Sequence, residues 1–307
     1  MPGRSSGNPT AVAVAYALVC VVWGSTYLFI KLGVEVLPPF LLGGVRFSIA
    51  GVILLGICLV AGRRMPDRHQ FARAAGVGIL LLVIGNGLLN TSEQHLSSGL
   101  AALLVVTFAL WTTLFAMLGR DAERLSRLGW LGLLIGLAGV AILVRPFESV
   151  ESSWTGVIAV LVASFAWAVG TVYARRSLQG IDPFAASAIE TAVAGPLMLG
   201  VHLLLERDAP VIWSGQAWLA VLYLAGMGSV VGFTAYVYIT AHMSSSKVGT
   251  YAYVNPVVAV LLGWWFLDEA VTWRFLAGGV TVLLGLLLVY LARVREARPS
   301  LRAPVEG

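Results

Sequence analysis

Inside otherwise apolar stretches, polar or aromatic residues recur four positions apart: Trp23 with Tyr27, Asn86 with Asn90, Thr107 with Trp111, Trp167 with Thr171, Thr234 with Tyr238, and Tyr251 with Asn255. On a helix this spacing places both members of a pair on one face. An amide turned toward lipid would go unpaired at a cost of several kcal/mol, so Asn86, Asn90 and Asn255 belong against protein or a wet cavity. The chemistry on offer is noncovalent. Rings give π surfaces for the apolar part of a guest, while amides and hydroxyls give neutral donors and acceptors for its polar part. The competing structural uses are hydrogen bonding between helices for the amides and interfacial anchoring for the rings.

Three further residues stand out. Pro256 follows Asn255 and has no backbone N–H to donate, so the Ala252 carbonyl loses its helical partner and a hinge is expected there. Arg46 and Glu190 are ionisable residues within apolar spans, and such residues are functional suspects. Each lies seven residues after the proline of a Pro-Phe pair, at Pro39 and Pro183. Arg46 is expected about four residues, or ~6 Å, outside the midplane, snorkelling to the outer interface or meeting Glu93 or a helix-end carbonyl. Glu190 is expected at the mirrored depth, as a proton-coupling carboxylate or as a partner of Arg175, Arg176 or Lys247.

The elements that must carry these residues follow from composition. Of 307 residues, 59% are hydrophobic and 11% charged, and mean hydropathy is +0.88. That is a polytopic membrane protein, all-α, with ten apolar runs long enough to span and no segment between them long enough for a soluble domain. The first run is too long for a signal peptide and has no small-x-small cleavage site before Lys31, so it counts as helix 1. With the N-terminus inside, fifteen of the twenty Lys and Arg fall on the cytoplasmic side and four outside, Arg46 lying within a span. The positive-inside rule then puts both termini in the cytoplasm. This asymmetry accounts for the pI of 9.5 without nucleic acid. Cys20 and Cys58 fall at different depths and read as packing residues, not as a disulfide or metal pair. Gly129, Gly132, Gly136 and Gly139 form one stripe of helix 5, and Gly85, Gly87, Gly226, Gly228 and Gly232 give thin backbones to helices 3 and 8. Ser126 and Thr272 read as N-caps of helices 5 and 10.

The chain is also written twice. Trp23, Lys31, Pro39 and Phe40 are matched 144 residues later by Trp167, Arg175, Pro183 and Phe184. "HLSSG" from His95 is matched by "HMSSS" from His242, and "ERLS" from Glu123 by "EAVT" from Glu269. Two repeats are expected, helices 1–5 over 10–145 and helices 6–10 over 154–292, followed by a basic cytoplasmic tail over 293–307. Five is odd, so the second copy enters the membrane from the opposite side, an inverted-topology pair of the kind found in secondary transporters.

With "WGSTY", "GVRF", "SSGLAALL" and "YAYVNPVVAVLLGW" the chain resembles the EamA-domain permeases of the drug/metabolite transporter superfamily over about 12–145 and 155–291. The resemblance implies a ten-helix inner-membrane carrier that exports amino acids or other small metabolites, with helix 9 lining the cavity. The alternative cargo is drugs or other toxic amphipathic compounds. Where the family often has proline in helix 4 this chain has Ala109, whereas helix 9 keeps Pro256, so helix 4 is expected to be the straighter.

Rival classes fare worse. An intramembrane enzyme needs paired acids, a histidine cluster or an activated nucleophile at depth, and His69, His95, His202 and His242 are scattered. A retinal receptor needs a buried lysine, and Lys31 and Lys247, the two lysines, sit at helix boundaries. There is no phosphate-binding glycine loop, so ATP is not the energy source. The expected partners are a small-molecule substrate and the lipid bilayer, with no cofactor, metal or nucleic acid; a homodimer is left open.

Overall fold

A computed structural model describes residues 8–116, 126–144, 153–243 and 245–296. Arg4, Arg120, Glu123, Arg124, Arg145, Arg298, Arg302 and the end of the basic tail lie outside the described residues.

In chain order the helices are α1 (Pro9–Val34), α2 (Pro39–Val60), α3 (Arg68–Glu93), α4 (Ser98–Phe115), α5 (Arg127–Val144), α6 (Trp154–Ser177), α7 (Pro183–Leu205), α8 (Gly215–His242), α9 (Tyr251–Phe266) and α10 (Trp273–Glu296). Eight are long and apolar enough to cross a membrane; α5 and α9 are shorter apolar helices. Their starts are chemically marked. Asn8, Ser153, Asp182 and Ser214 each accept a backbone N–H of the first turn, and Asp67 and Gln70 form a reciprocal capping box. The expected caps are present too: Ser126 Oγ accepts from Gly129 N at 3.4 Å and Thr272 Oγ1 from Phe275 N at 3.2 Å. Large apolar side chains such as Val60, Leu204 and Leu287 point outward, as lipid requires. Both cysteines are buried and free.

Two features escape any reading of hydropathy. α3 is π-helical over Ile79–Asn86 and α8 over Leu224–Val231, positions 145 apart and therefore repeat mates. The widened turn frees carbonyls for other partners, and such segments recur at functional sites. Secondly, α4, expected to be the straighter helix, is interrupted at Val106 and Thr107, whereas α9 continues through Pro256. No proline is needed to break α4. Thr107 Oγ1 donates to Leu104 O at 2.7 Å, and Ser164 of α6 donates to Val105 O at 3.2 Å, so hydroxyls satisfy the carbonyls that the break releases.

The principal packing pairs map onto one another when helices α1–α5 are exchanged with α6–α10. α2 lies on α7, α5 on α10 and α4 on α9; α1 packs on α8 and α9 as α6 packs on α3 and α4; and α3 meets α7 as α8 meets α2. Two of the three self-mated contacts, α2 with α7 and α5 with α10, bring glycines against the partner's backbone. A Cβ on Gly51 would stand 2.5 Å from Ala192 Cα, and one on Gly132 would stand 2.6 Å from Gly285 O. The register Gly51 to Ala192 and Gly44 to Leu199 makes α2 and α7 antiparallel.

Candidate functional site

The interface between the halves holds one dense aromatic cluster. The Trp23 ring lies 5.2 Å from the rings of both Tyr236 and Tyr251 and 6.0 Å from Phe233. Its indole N–H donates to Gly228 O at 3.1 Å, a carbonyl of the α8 π segment. Asn255 sits one turn along α9 from Tyr251 and is buried. Oriented to satisfy both its ends, its amide nitrogen donates to Cys20 O and Tyr251 O, each at 3.1 Å. Thus Trp23, Tyr251 and Asn255, picked out by spacing, do meet, and they meet across helices of opposite halves.

Around Trp167, the repeat mate of Trp23, lies a second, looser group. The indole nitrogen of Trp167 packs on Gly85 in the α3 π segment, where a Cβ would stand 2.7 Å away. Asn86 Nδ2 donates to Leu81 O at 3.2 Å within that segment, and half-buried Thr171 follows one turn along α6 from Trp167. Asn90 is buried, with Nδ2 donating to Pro39 O at 3.0 Å and Oδ1 without a partner. Tyr27 is buried one turn beyond Trp23.

Thr107 and Trp111 are not brought into either group. Thr107 serves the α4 break described above. Trp111 lies edge-on to Phe165 at 5.3 Å in an open apolar groove with Ile158, Leu161 and Val162, and Ile158, Val162 and Phe165 are exposed. That is a lipid-facing surface. Spacing alone missed Phe233, Tyr236 and Ser229. Phe233 and Tyr236 fall three apart on the helix already marked by Gly228 and Gly232, a signal that pairs at four do not detect.

Arg46 departs most from expectation. It neither reaches the outer interface nor meets Glu93 or a helix-end carbonyl. It is 5% exposed, its Nε donates to Ser229 Oγ at 3.1 Å, and its guanidinium lies 4.6 Å from the Phe47 ring centre. Ser229 is about halfway along α8, so the long side chain runs inward from its backbone. The reason is space: Gly228 has no side chain, and a Cβ there would stand 3.2 Å from Arg46 Nη2. Among the described residues the ion pairs are Arg63–Asp182, His202–Glu206 and Arg207–Asp208, and none involves Arg46 or Glu190. Glu190 is nearly buried and does not pair with Arg175, Arg176 or Lys247. Lys31, rather than Arg46, is what Glu93 meets: its ammonium donates to Glu93 O at 2.8 Å and Leu96 O at 3.1 Å. The Glu93 carboxyl is buried with neither oxygen hydrogen-bonded.

Polar ties close both ends of the bundle. At the end holding the α1–α2 loop, Glu269 accepts from Ser98 N at 2.6 Å, Ser98 Oγ at 3.0 Å and Gly99 N at 3.1 Å, and Glu206 accepts from Phe40 N at 3.1 Å. At the opposite end, Tyr16 and Thr250 share a 2.6 Å hydrogen bond, and Arg63 donates to Asp182 at 3.0 Å. Burial works against the Asp182 carboxylate. The N–H groups of Ala185 and Phe184 and the Arg63 guanidinium outweigh it and hold the group below its ordinary value.

Comparison with known proteins agrees with this architecture. The EamA-like transporter family matches twice, over residues 11–145 and 154–291. The uncharacterized inner membrane transporter YedA of Escherichia coli is 38% identical over 287 residues, covering 93% of this chain and 92% of its own. The chain belongs to the EamA-like transporter family. Other relatives of this EamA chain include the uncharacterized transporter YdfC of Bacillus subtilis, 27% identical with 91% of each chain covered, and the protein PagO of Salmonella typhimurium, 22% identical over 92% of this chain and 94% of its own. A solved crystal structure with 22% identity superposes with a TM-score of 0.65 over 95% of this chain and all of its own, which shows that the EamA fold is shared.

Proposed function

We propose that this protein is a secondary transporter that exports small amphipathic metabolites, amino acids among them, by alternating access between its two five-helix halves. As an EamA family member with many apolar helices, resembling an inner membrane transporter, it is a multi-pass protein of the inner membrane. The observation that carries the mechanistic reading is the exchange symmetry of the packing, with the Trp23, Tyr236, Tyr251 and Asn255 group lying where the halves meet. A site at a repeat interface is reachable from either side when one half rocks against the other. Both termini are taken as cytoplasmic, so the end sealed by Glu269 and Glu206 faces the periplasm and the end sealed by Tyr16 and Thr250 faces the cytoplasm.

Alternation then has concrete parts. Outward opening breaks the Glu269 contacts to α4 and the Glu206 contact to α2; inward opening breaks the Tyr16–Thr250 and Arg63–Asp182 contacts. The π segments of α3 and α8 sit beside Trp167 and Trp23 and let each indole pack on backbone. Reconstituted in liposomes, the protein is expected to exchange a labelled amphipathic amino acid such as phenylalanine. Asn255→Ala and Trp167→Ala are expected to slow that exchange without loss of folded protein. Flux of a phosphorylated sugar or a polyvalent cation, with none for any amino acid, would defeat the substrate assignment.

A further inference from the structure

Among the described residues Arg46 is the one arginine buried among the spans, and nothing around it explains why a charge should be kept there. Taking an isolated cation out of water is costly unless something pairs with it. Its Nε is used by Ser229. Ser229 is itself held in place, its hydroxyl donating to Leu224 O at 3.1 Å, so its lone pairs are directed at Nε. The Phe47 ring supports the guanidinium from within its own helix. What is left is the Nη edge, with four N–H groups and no acceptor given to them among the described residues. Arg46 as a whole is 5% exposed.

The surroundings of that edge are small side chains and the rings of the aromatic cluster. Gly228 stands close beside Nη2, where an added Cβ would lie 3.2 Å from it, and its carbonyl accepts from the Trp23 indole. Thr26 packs on the same glycine, where a Cβ on Gly228 would stand 3.0 Å from its methyl. One residue of α8 therefore touches both the cation and the aromatic cluster. The first repeat has no equivalent: the positions matching Gly228 and Ser229, taken at the 145-residue offset of the π segments, are Val83 and Ile84.

We propose that the Nη edge of Arg46 binds the carboxylate, or an equivalent single oxyanion, of the transported molecule while the Trp23, Phe233, Tyr236 and Tyr251 rings take its apolar part. This rests on the transporter reading above and narrows its substrate class to amphipathic organic acids and amino acids. A planar fork of N–H donors matches a carboxylate in a bidentate fashion, which a lysine or a neutral amide at this position would not reproduce. The Asn255 side chain, one turn along α9 from Tyr251, offers a neutral amide for a polar remainder.

The test uses matched compounds that differ at one group. Purified protein is titrated with 3-phenylpropionate and with 3-phenylpropanamide, and binding is followed by thermal stabilisation. The acid is expected to bind at least about tenfold more tightly than the amide. Arg46→Gln is expected to erase that difference, lowering acid affinity and leaving amide affinity alone. Should Arg46→Gln fail to fold, Gly228→Ala decides, since its added methyl crowds Nη2 and leaves the charge in place; the same selective loss for the acid is expected. Equal binding of acid and amide by the unaltered protein, or an acid preference that survives in either folded variant, overturns the proposal. Labelled phenylalanine exchange in liposomes separates the two levels. If exchange occurs and phenylalaninamide competes as well as phenylalanine, the anion site is wrong and the carrier stands. If no amino acid is exchanged but the acid preference holds, the amino-acid cargo is wrong and the anion site stands.

Discussion

Replacing Glu269 by alanine should tilt the carrier toward its outward-open form by an amount that can be worked out. Its carboxylate is delivered by a tight turn: Leu267 and Glu269 both donate their N–H to Gly263 O, and Asp268 between them adopts φ 52°. The carboxylate then takes two backbone N–H groups and a hydroxyl at the start of α4, which belongs to the other half. Hydrogen bonds to a charged group are worth about 1.5–3 kcal/mol each when buried, and a carboxylate at a helix N-terminus adds ~0.3–1 kcal/mol. Glu269 is only partly buried, and water replaces it once the end opens, so we take about 2 kcal/mol for the whole contact. That is ~30-fold in a two-state equilibrium. The assay places cysteine at Tyr27 in a background without Cys20 and Cys58, and measures labelling by an impermeant maleimide from the periplasmic side. Glu269→Ala should accelerate labelling by up to ~30-fold, and Glu269→Gln, which keeps one acceptor, by less. Thr250→Ala, at the opposite seal, should slow it. If folded Glu269→Ala labels within twofold of the parent, the contact does not report on access and the assignment of this end as a gate fails.

Other outcomes follow from packing and caps. Ser164→Ala leaves Val105 O without its hydroxyl partner inside the bundle and should cost about 1–3 kcal/mol, read as a lower unfolding temperature in detergent. Gly132→Leu forces a side chain against the Gly285 backbone and should reduce folded yield more than Gly56→Leu, whose Cβ meets nothing within 4 Å; equal yields would contradict the close α5–α10 contact. Asp182→Ala should destabilise by about 1 kcal/mol through loss of the α7 cap. Because the Asp182 value is lowered on folding, its contribution is complete above the ordinary carboxylate range and disappears as pH falls through the lowered value. Circular dichroism on the Asp182→Ala variant should accordingly show a weaker loss of stability on acidification than the parent.

Much of the architecture was legible because lipid leaves few solutions: apolar runs of helical length and a doubled motif order. Trp23, Tyr251 and Asn255 were legible because polar and aromatic residues four apart share a helix face. What was hidden depends on neighbours distant in sequence. Arg46 could extend in either direction from its backbone, and the choice was made by the absence of a side chain at Gly228, 182 residues away. The α4 break depends on Ser164 of another helix, so the missing proline at Ala109 was a poor guide. π turns leave no trace in a uniformly apolar run, because widening a turn changes which carbonyls are free and not which residues are buried. Trp111 looked like its counterparts by type and spacing, yet the face it occupies is set by the exposed side of α6.

The solitude of the Arg46 charge has an electrical consequence. A fixed charge halfway across the bilayer sits partway down the membrane voltage, and a water-filled passage carries the potential of whichever compartment it opens to. Switching the passage from one face to the other therefore acts as if the guanidinium had moved through the field, at up to ~2.3 kcal/mol per elementary charge per 100 mV. In an energised cell, interior negative, the empty carrier would rest with its passage toward the cytoplasm, where cargo for export is found. A monoanion seated on Arg46 would cancel the charge and make the loaded carrier indifferent to voltage, whereas a zwitterion would leave it in place. Voltage dependence of the loaded step would then measure the net charge of the cargo before its identity is known.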